Sequence, residues 1–314
     1  MRDVQNVAVL GAGVIGASWA ALFLAAGRSV TVFDPAPDAE ASVRGYIDRA
    51  WPALEQLGLT EQATPDALRF VPTARAAVEG ADFVQENVPE RMAIKHATYA
   101  EIEPGLANGA IVSSSTSGMT LEALQEGWTD PAPLILGHPF NPPHLIPLVE
   151  LTANERTGPD AMDRAEAFYA DIGKVTIRIK KGLPGHVANR LQAAVWREAV
   201  HMAVEGVASV EDIDKAMWAG PGLRWAAMGP TMLFHLGASE GGLRAFCDHF
   251  QDTFNGWWDG LGDPRLTPEV IETLVQGMDA QAAGRSPFEL SARRDKMLIA
   301  MQAALRALQA DGVK

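Results

Sequence analysis

The chain has one cysteine in 314 residues, Cys247, so an internal disulfide and a cysteine-rich metal site are both excluded, and no metal is expected. No run of about 18 uninterrupted apolar residues occurs, which leaves nothing to span a bilayer as a helix. Basic residues are scarce. There are 26 Lys and Arg against 39 Asp and Glu, a formal net charge of -13. That balance argues against a nucleic-acid partner, although local dipoles and a few cations can still hold an anionic cofactor. Lysine is absent before Lys95. The N-terminus runs into a strand pattern without the apolar core of a signal peptide, so a cytoplasmic protein with no membrane partner is expected. What is present is ordinary for a soluble protein with a core: 47% hydrophobic and 21% charged residues, in a length that suits two domains.

Residues 6–10 form a short apolar run ending at glycines, which is how a buried parallel strand reads. Ile15, Trp19, Leu22 and Phe23 recur at helical spacing, Gly27 is a plausible stop, and a second apolar run follows at Val30, Val32 and Phe33. Further strands are expected at 82–85, 110–114, 133–137, 145–151 and 174–179, with helical patterns between them. The alternation predicts an α/β fold with an N-terminal Rossmann-like, doubly wound sheet. The pattern changes across residues 180–185 (Lys-Lys-Gly-Leu-Pro-Gly), after which no convincing strand occurs and a helix is expected over 186–207. The division is therefore residues 1–183 for the sheet domain and 184–314 for an all-helical C-terminal domain.

Gly11, Gly13 and Gly16 form G-x-G-x-x-G between the first strand and the first helix. Gly11 permits the tight turn, Gly13 leaves room for a pyrophosphate, and Gly16 lets helix and strand approach. With Val14 and Ile15 they open a helix whose free N–H groups face phosphates. Asp34 ends the second strand 23 residues after Gly11. A carboxylate there accepts from a ribose diol and repels a 2′-phosphate, which favours NAD over NADP. The alternative is a glycine turn that binds nothing.

The stretch from His138 to Leu151 reads as a strand end, a proline-rich turn and a returning strand. Glu150 sits inside the apolar returning strand and needs a donor there. His138, twelve residues earlier, is placed to supply it. Such a pair suits general acid–base work: the carboxylate fixes the imidazole tautomer and is expected to favour imidazolium. A structural pair pinning a hairpin is the alternative.

These motifs together resemble the L-3-hydroxyacyl-CoA dehydrogenase family over nearly the whole chain. The pattern His-x-Phe-Asn-Pro followed by Val-Glu is matched by His138 to Pro142 and by Val149-Glu150. The resemblance implies a helical second domain that forms a homodimer, and oxidation of a 3-hydroxy group by NAD. It makes His138 the base and Glu150 its orienter. Through Ser114-Ser115-Thr116-Ser117 it makes Ser117 the hydroxyl on the substrate oxygen. Ser115 and Asn141 fall on the cofactor side, although the family carries Asn where this chain has Ser115. Asn189, in Asn189-Arg190, is implied on the substrate oxygen, and Glu90 with Lys95 near the nicotinamide ribose. Bland alternatives stand beside these: Ser117 as a helix cap, Asn189 as a cap or a solvent-facing residue, Lys95 as a surface lysine, Asn141 as a shaper of its turn.

Several features resemble the free-acid branch of that family, with a small 3-hydroxy acid as partner, rather than its acyl-CoA members. The stretch after Asp34 lacks the lysines that would hold CoA phosphates, and Ile146-Pro147 stands where acyl-CoA members have Met-Lys. The segment Met217 to Pro230 carries Trp218 and Trp225. That segment resembles the branch members that act on L-carnitine, whose trimethylammonium aromatic faces attract by about 0.5–2 kcal/mol per contact, and the resemblance implies oxidation of L-carnitine to 3-dehydrocarnitine. Core or dimer-interface packing is the other reading of these tryptophans. L-gulonate, a 3-hydroxyacyl-CoA and a non-catalytic, crystallin-like structural role are the alternatives. Arg190, Arg197 and Arg224 are unranked candidates for the substrate carboxylate.

Overall fold

The computed structural model describes residues 4–310. Eight strands form one sheet: β1 (Asn6–Leu10), β2 (Ser29–Phe33), β3 (Leu68–Phe70), β4 (Phe83–Glu86), β5 (Ile111–Ser114), β6 (Leu134–Pro139), β7 (Leu148–Thr152) and β8 (Val175–Arg178). Their order is β3-β2-β1-β4-β5-β6-β7-β8. All neighbours are parallel except β6 and β7. The reversal of strand order at β1/β4 places the ends of both strands at a switch point, where open α/β sheets take ligands.

Helices α1 (Val14–Ala25), α2 (Ala39–Leu57), α3 (Ala74–Val78), α4 (Met92–Ile102), α5 (Leu121–Gln125) and α6 (Ala161–Asp171) cover the two faces. Period-two alternation explains the two cores. Val7 and Val9 of β1 face one cluster with Trp19, Phe23, Phe83 and Tyr169, while Ala8 and Leu10 face another with Tyr99, Ile102 and Leu124. α1 is apolar all round because it is enclosed; Trp19 and Phe23 are fully buried and stack at 5.3 Å. Truncating either to alanine removes a packing worth about 3–5 kcal/mol.

Among the expected strands, one begins three residues late, and one strand was not expected. The return strand starts at Leu148 rather than 145, because the prolines at 142, 143 and 147 hold the preceding residues in a turn, where Leu145 and Ile146 donate to the Pro142 carbonyl at 2.9 Å. β3 was not anticipated; it is three residues long, with one of them buried.

The chain divides into two units. The first extends to Val187 and takes in Asp295–Ala304; the second comprises Ala188–Arg294 and the chain from Leu305. Among its described residues the second is helical throughout: α7 (Ala188–Val204), α8 (Val210–Met217), a π-turn (Trp218–Gly222), α9 (Leu223–Ala227), α10 (Pro230–Leu236), α11 (Gly242–Asp259), α12 (Pro268–Ala282) and most of α13 (Pro287–Ala310). No described helix is long and apolar enough to cross a membrane.

Candidate active site

At the end of β1 the chain turns through Gly11 at φ 83°, a left-handed conformation that favours glycine. A Cβ there would lie 2.6 Å from the backbone of Asn87, and one on Gly16 would lie 1.9 Å from the Gly11 carbonyl oxygen. Both glycines are thus imposed by close backbone approach. At Gly13 a Cβ would meet nothing within 4 Å, so the space beside it belongs to no protein atom. Gly13 is also the N-cap of α1 and makes no side-chain cap hydrogen bond. Val14 is exposed, Ile15 half-buried and Gly16 buried. An open cradle against uncapped helical N–H groups fits a pyrophosphate. Asp34, half-buried at the end of β2, accepts from the Ala12 N–H at 2.7 Å and the Ala36 N–H at 2.9 Å. Its carboxylate therefore ties the glycine turn to the neighbouring strand.

The ends of β4 and β5 hold a cluster that sequence reasoning missed. Glu86 is fully buried and its carboxylate accepts from Lys95 Nζ at 2.7 Å, Val88 N–H at 2.8 Å, Tyr99 OH at 2.7 Å and Ser114 Oγ at 2.6 Å. Lys95 is 1% exposed, so the surface-lysine alternative is wrong; it reaches Glu90 only at 3.6 Å. Burial and the Glu86 charge push the Tyr99 phenol well above its usual range, which keeps it a donor. Glu90 accepts from the Thr116 hydroxyl and from the N–H groups of Ser117 (3.1 Å) and Gly118 (3.0 Å). It thereby shapes the loop that carries Ser117, and these hydrogen bonds hold its carboxyl below the usual range against the opposing effect of burial. Ser117 is exposed and caps nothing; the cap of α5 is Thr120. Ser115 Oγ donates to Asn87 Oδ1 at 2.7 Å and accepts from Gln85 Nε2 at 2.9 Å. Glu86 had the same signal as Glu150, a carboxylate closing an apolar strand.

His138 and Glu150 face each other in the antiparallel β6/β7 register. Nδ1 of His138 lies 2.9 Å from Glu150 Oε2, with the residues 7% and 1% exposed. The other carboxylate oxygen accepts the Val187 N–H at 2.9 Å. Burial lowers the His138 pKa below its ordinary value, assisted by the neighbouring His186, and outweighs the raising effect of Glu150. The expectation of imidazolium is corrected accordingly. The ring is neutral at pH 7, donates Nδ1–H to Glu150, and carries its lone pair on Nε2. His186, also missed in the sequence, lies with its ring centroid 4.8 Å from that of His138 and its Nε2 3.4 Å from the Thr116 carbonyl oxygen.

The turn after β6 contains exposed Asn141, whose bond to Pro142 is cis. Its carbonyls are gripped from outside. Lys174 Nζ donates to Pro143 O and, at 2.8 Å, to Ile146 O, and Gln302 Nε2 donates to Leu145 O. Burial pushes the Lys174 ammonium down to about 7, and its Nζ lies 4.7 Å from the Trp19 ring centroid.

The first unit thus brings together His138, Glu150, Glu90, Lys95 and the Ser115–Ser117 loop. The remaining candidates belong to the second unit. Asn189 is the second residue of α7 and half-buried; Trp225 is half-buried in α9; Trp218 lies on the π-turn at 65% exposure, so it is not a core residue of this chain. Arg197 lies 3.9 Å from Asp263. Among the described residues, no group of three or more His, Cys, Asp or Glu side chains is placed to hold a metal ion.

Residues 6–182 match the NAD binding domain of 3-hydroxyacyl-CoA dehydrogenase, and residues 185–284 match its C-terminal domain. The chain is 48% identical over 306 residues to an L-carnitine dehydrogenase of Nocardiopsis dassonvillei, covering 98% of this chain and 93% of that one. It is 40% identical to an L-carnitine dehydrogenase of Pseudomonas putida, covering 99% and 97%. Among solved structures, the NAD+ dependent dismutase 5-formyl-3-hydroxy-2-methylpyridine 4-carboxylic acid 5-dehydrogenase superposes with a TM-score of 0.82 at 30% identity, covering 97% of this chain and 99% of that one.

Proposed function

The chain belongs to the 3-hydroxyacyl-CoA dehydrogenase family, and from that premise we propose that it oxidises the 3-hydroxyl of L-carnitine to the ketone of 3-dehydrocarnitine. The observation that carries the substrate is the 48% identity to an L-carnitine dehydrogenase over 98% of this chain. As a member of this family the protein is an NAD-dependent oxidoreductase.

NAD, when bound, supplies the two-electron acceptor for the hydride that leaves C3. The chain's own residues do the rest. Neutral His138 takes the O3 proton on Nε2 while Nδ1–H stays on Glu150, whose charge steadies the imidazolium that forms. Ser117 and Asn189 donate to O3 and hold it in place. Gly11, Gly13, Val14, Ile15 and Gly16 receive the pyrophosphate, Asp34 the ribose diol, and Glu90, Ser115 and Asn141 the nicotinamide half, while Lys95, buried against Glu86, supports that loop from behind without touching the cofactor. The exposed face of Trp218, or Trp225, receives the trimethylammonium.

On this reading residues 1–183 bind NAD and residues 184–314 bind substrate and pair two copies. Exposed Leu191, Trp196, Trp257 and Trp258, at 52% exposure or more, support a homodimer, whose mass light scattering would measure. A cytoplasmic location agrees with dependence on the NAD pool.

The test is NADH absorbance with L-carnitine, L-gulonate and 3-hydroxybutyryl-CoA as substrates. Turnover of carnitine well above the other two is expected. Good turnover of either alternative with none of carnitine overturns the proposal and returns the tryptophans to packing.

A further inference from the structure

His186 has no part in the mechanism above, yet the structure holds it with unusual care. It is 6% exposed and adopts φ 49°, a left-handed conformation uncommon outside glycine and sustained only where surroundings over-determine it. Three contacts do so. The His186 N–H donates to Leu183 O at 3.0 Å, the next N–H, of Val187, donates to Glu150 Oε1 at 2.9 Å, and Nε2 reaches Thr116 O at 3.4 Å. One carboxylate thus orients the base with one oxygen and anchors this segment with the other.

The result is two imidazoles with centroids 4.8 Å apart and planes tilted by 33°. For His138 alone this is a poor arrangement, since His186 disfavours its protonation. A nitrogen-bearing ring in that place needs an anionic client. With Nε2 turned to a carbonyl, which can only accept, Nδ1 is the ring atom that remains; it has no protein partner among the described residues. In a free 3-hydroxy acid the carboxyl carbon is two bonds from C3. Once O3 is on His138 Nε2, the carboxylate is therefore held to within a few bond lengths of the neighbouring ring.

We propose that His186 receives the substrate carboxylate on Nδ1–H and is the residue that selects a free acid over a thioester or amide. This rests on the free-acid reading of the preceding section. With the Thr116 carbonyl facing one ring nitrogen and a carboxylate the other, both nitrogens meet acceptors, and the negative charge of the carboxylate makes its contact charge-assisted.

The experiment compares L-carnitine with its carboxamide on the native enzyme, His186→Phe and His186→Gln, with NAD affinity as the control for folding. For His186→Phe, KM for carnitine rises roughly 10- to 100-fold, the loss of one hydrogen bond to a charged group, while kcat stays within about threefold and KM for the amide changes little. His186→Gln, which keeps a donor, falls between. Equal rises in KM for acid and amide, or a fall in kcat with KM unchanged for both, overturn the assignment, the latter placing His186 as a positioner of His138. A native enzyme that oxidises thioesters and no free acid refutes the preceding section, and the proposal with it.

Discussion

Replacing Lys95 by methionine separates two roles that the sequence left superimposed. Lys95 and Glu86 are 1% and 0% exposed and 2.7 Å apart, so the pair is fully desolvated. Lys95→Met keeps most of the side-chain volume and removes only the cation. Glu86 retains the Tyr99, Ser114 and Val88 donors, but its charge is left without a counter-ion in the core. Breaking one side of such a pair costs about 3–5 kcal/mol. For a unit of this size each kcal/mol lowers Tm by about 2–4 °C, so a fall of about 6–20 °C is expected. The double variant Glu86→Gln/Lys95→Met removes both charges and leaves a neutral amide whose oxygen accepts the Val88 N–H and whose NH2 donates to the Tyr99 and Ser114 hydroxyls, which can turn to accept. It should recover at least half of that loss. Thermal melts by circular dichroism, run with an NAD titration, measure both quantities. A single variant that melts within about 2 °C of the native protein while its KM for NAD rises more than about tenfold refutes the argument. It would place the work of Lys95 at the cofactor.

Asp34→Ala should shrink the preference for NAD over NADP, measured as the ratio of kcat/KM values, and should lower Tm as well because the Ala12 and Ala36 N–H groups lose their acceptor; an unchanged ratio contradicts the ribose assignment. His138→Ala should lower kcat by about 10²–10⁴ with NAD affinity intact, and retention of a tenth of the native rate would count against it as base. Because burial lowers the His138 pKa and the neutral ring is the active form, kcat/KM should hold as pH falls until it passes a value below 6.5. Glu150→Gln removes the charge that opposes this shift, so its acid limb should move lower still while kcat falls; a limb that moves up would reverse the sign of the argument.

The alternation of strands and helices was legible because β1, β4, β5 and β6, at the centre of the sheet, are buried at nearly every residue and each carries a short apolar run. β3 escaped because three residues with one buried side chain, Leu68, carry no period. The His138–Glu150 pair was legible for a physical reason, since a carboxylate inside an apolar strand demands a donor and the antiparallel return supplies one. Its protonation state was not, because the sign depends on how far burial outweighs a contact at 2.9 Å, and depth is a property of the packed sheet. His186 lay in a Pro-Gly loop, where the sequence signals a turn and is silent on what the next side chain faces.

Gln302 on α13 holds the carbonyl of Leu145, in the turn between the two catalytic strands, although 157 residues separate them. That pairing has a consequence for synthesis. The sheet is complete when β8 leaves the ribosome, but the turn after His138 still lacks one of its clamps. More than a hundred further residues must be translated before Gln302 emerges, on the order of 10 s at ordinary elongation speeds. The first unit to be made is therefore among the last to be finished. A nascent chain stalled or cut before α13 leaves the turn between base and orienter open, so an incompletely made copy carries the catalytic pair without its full support.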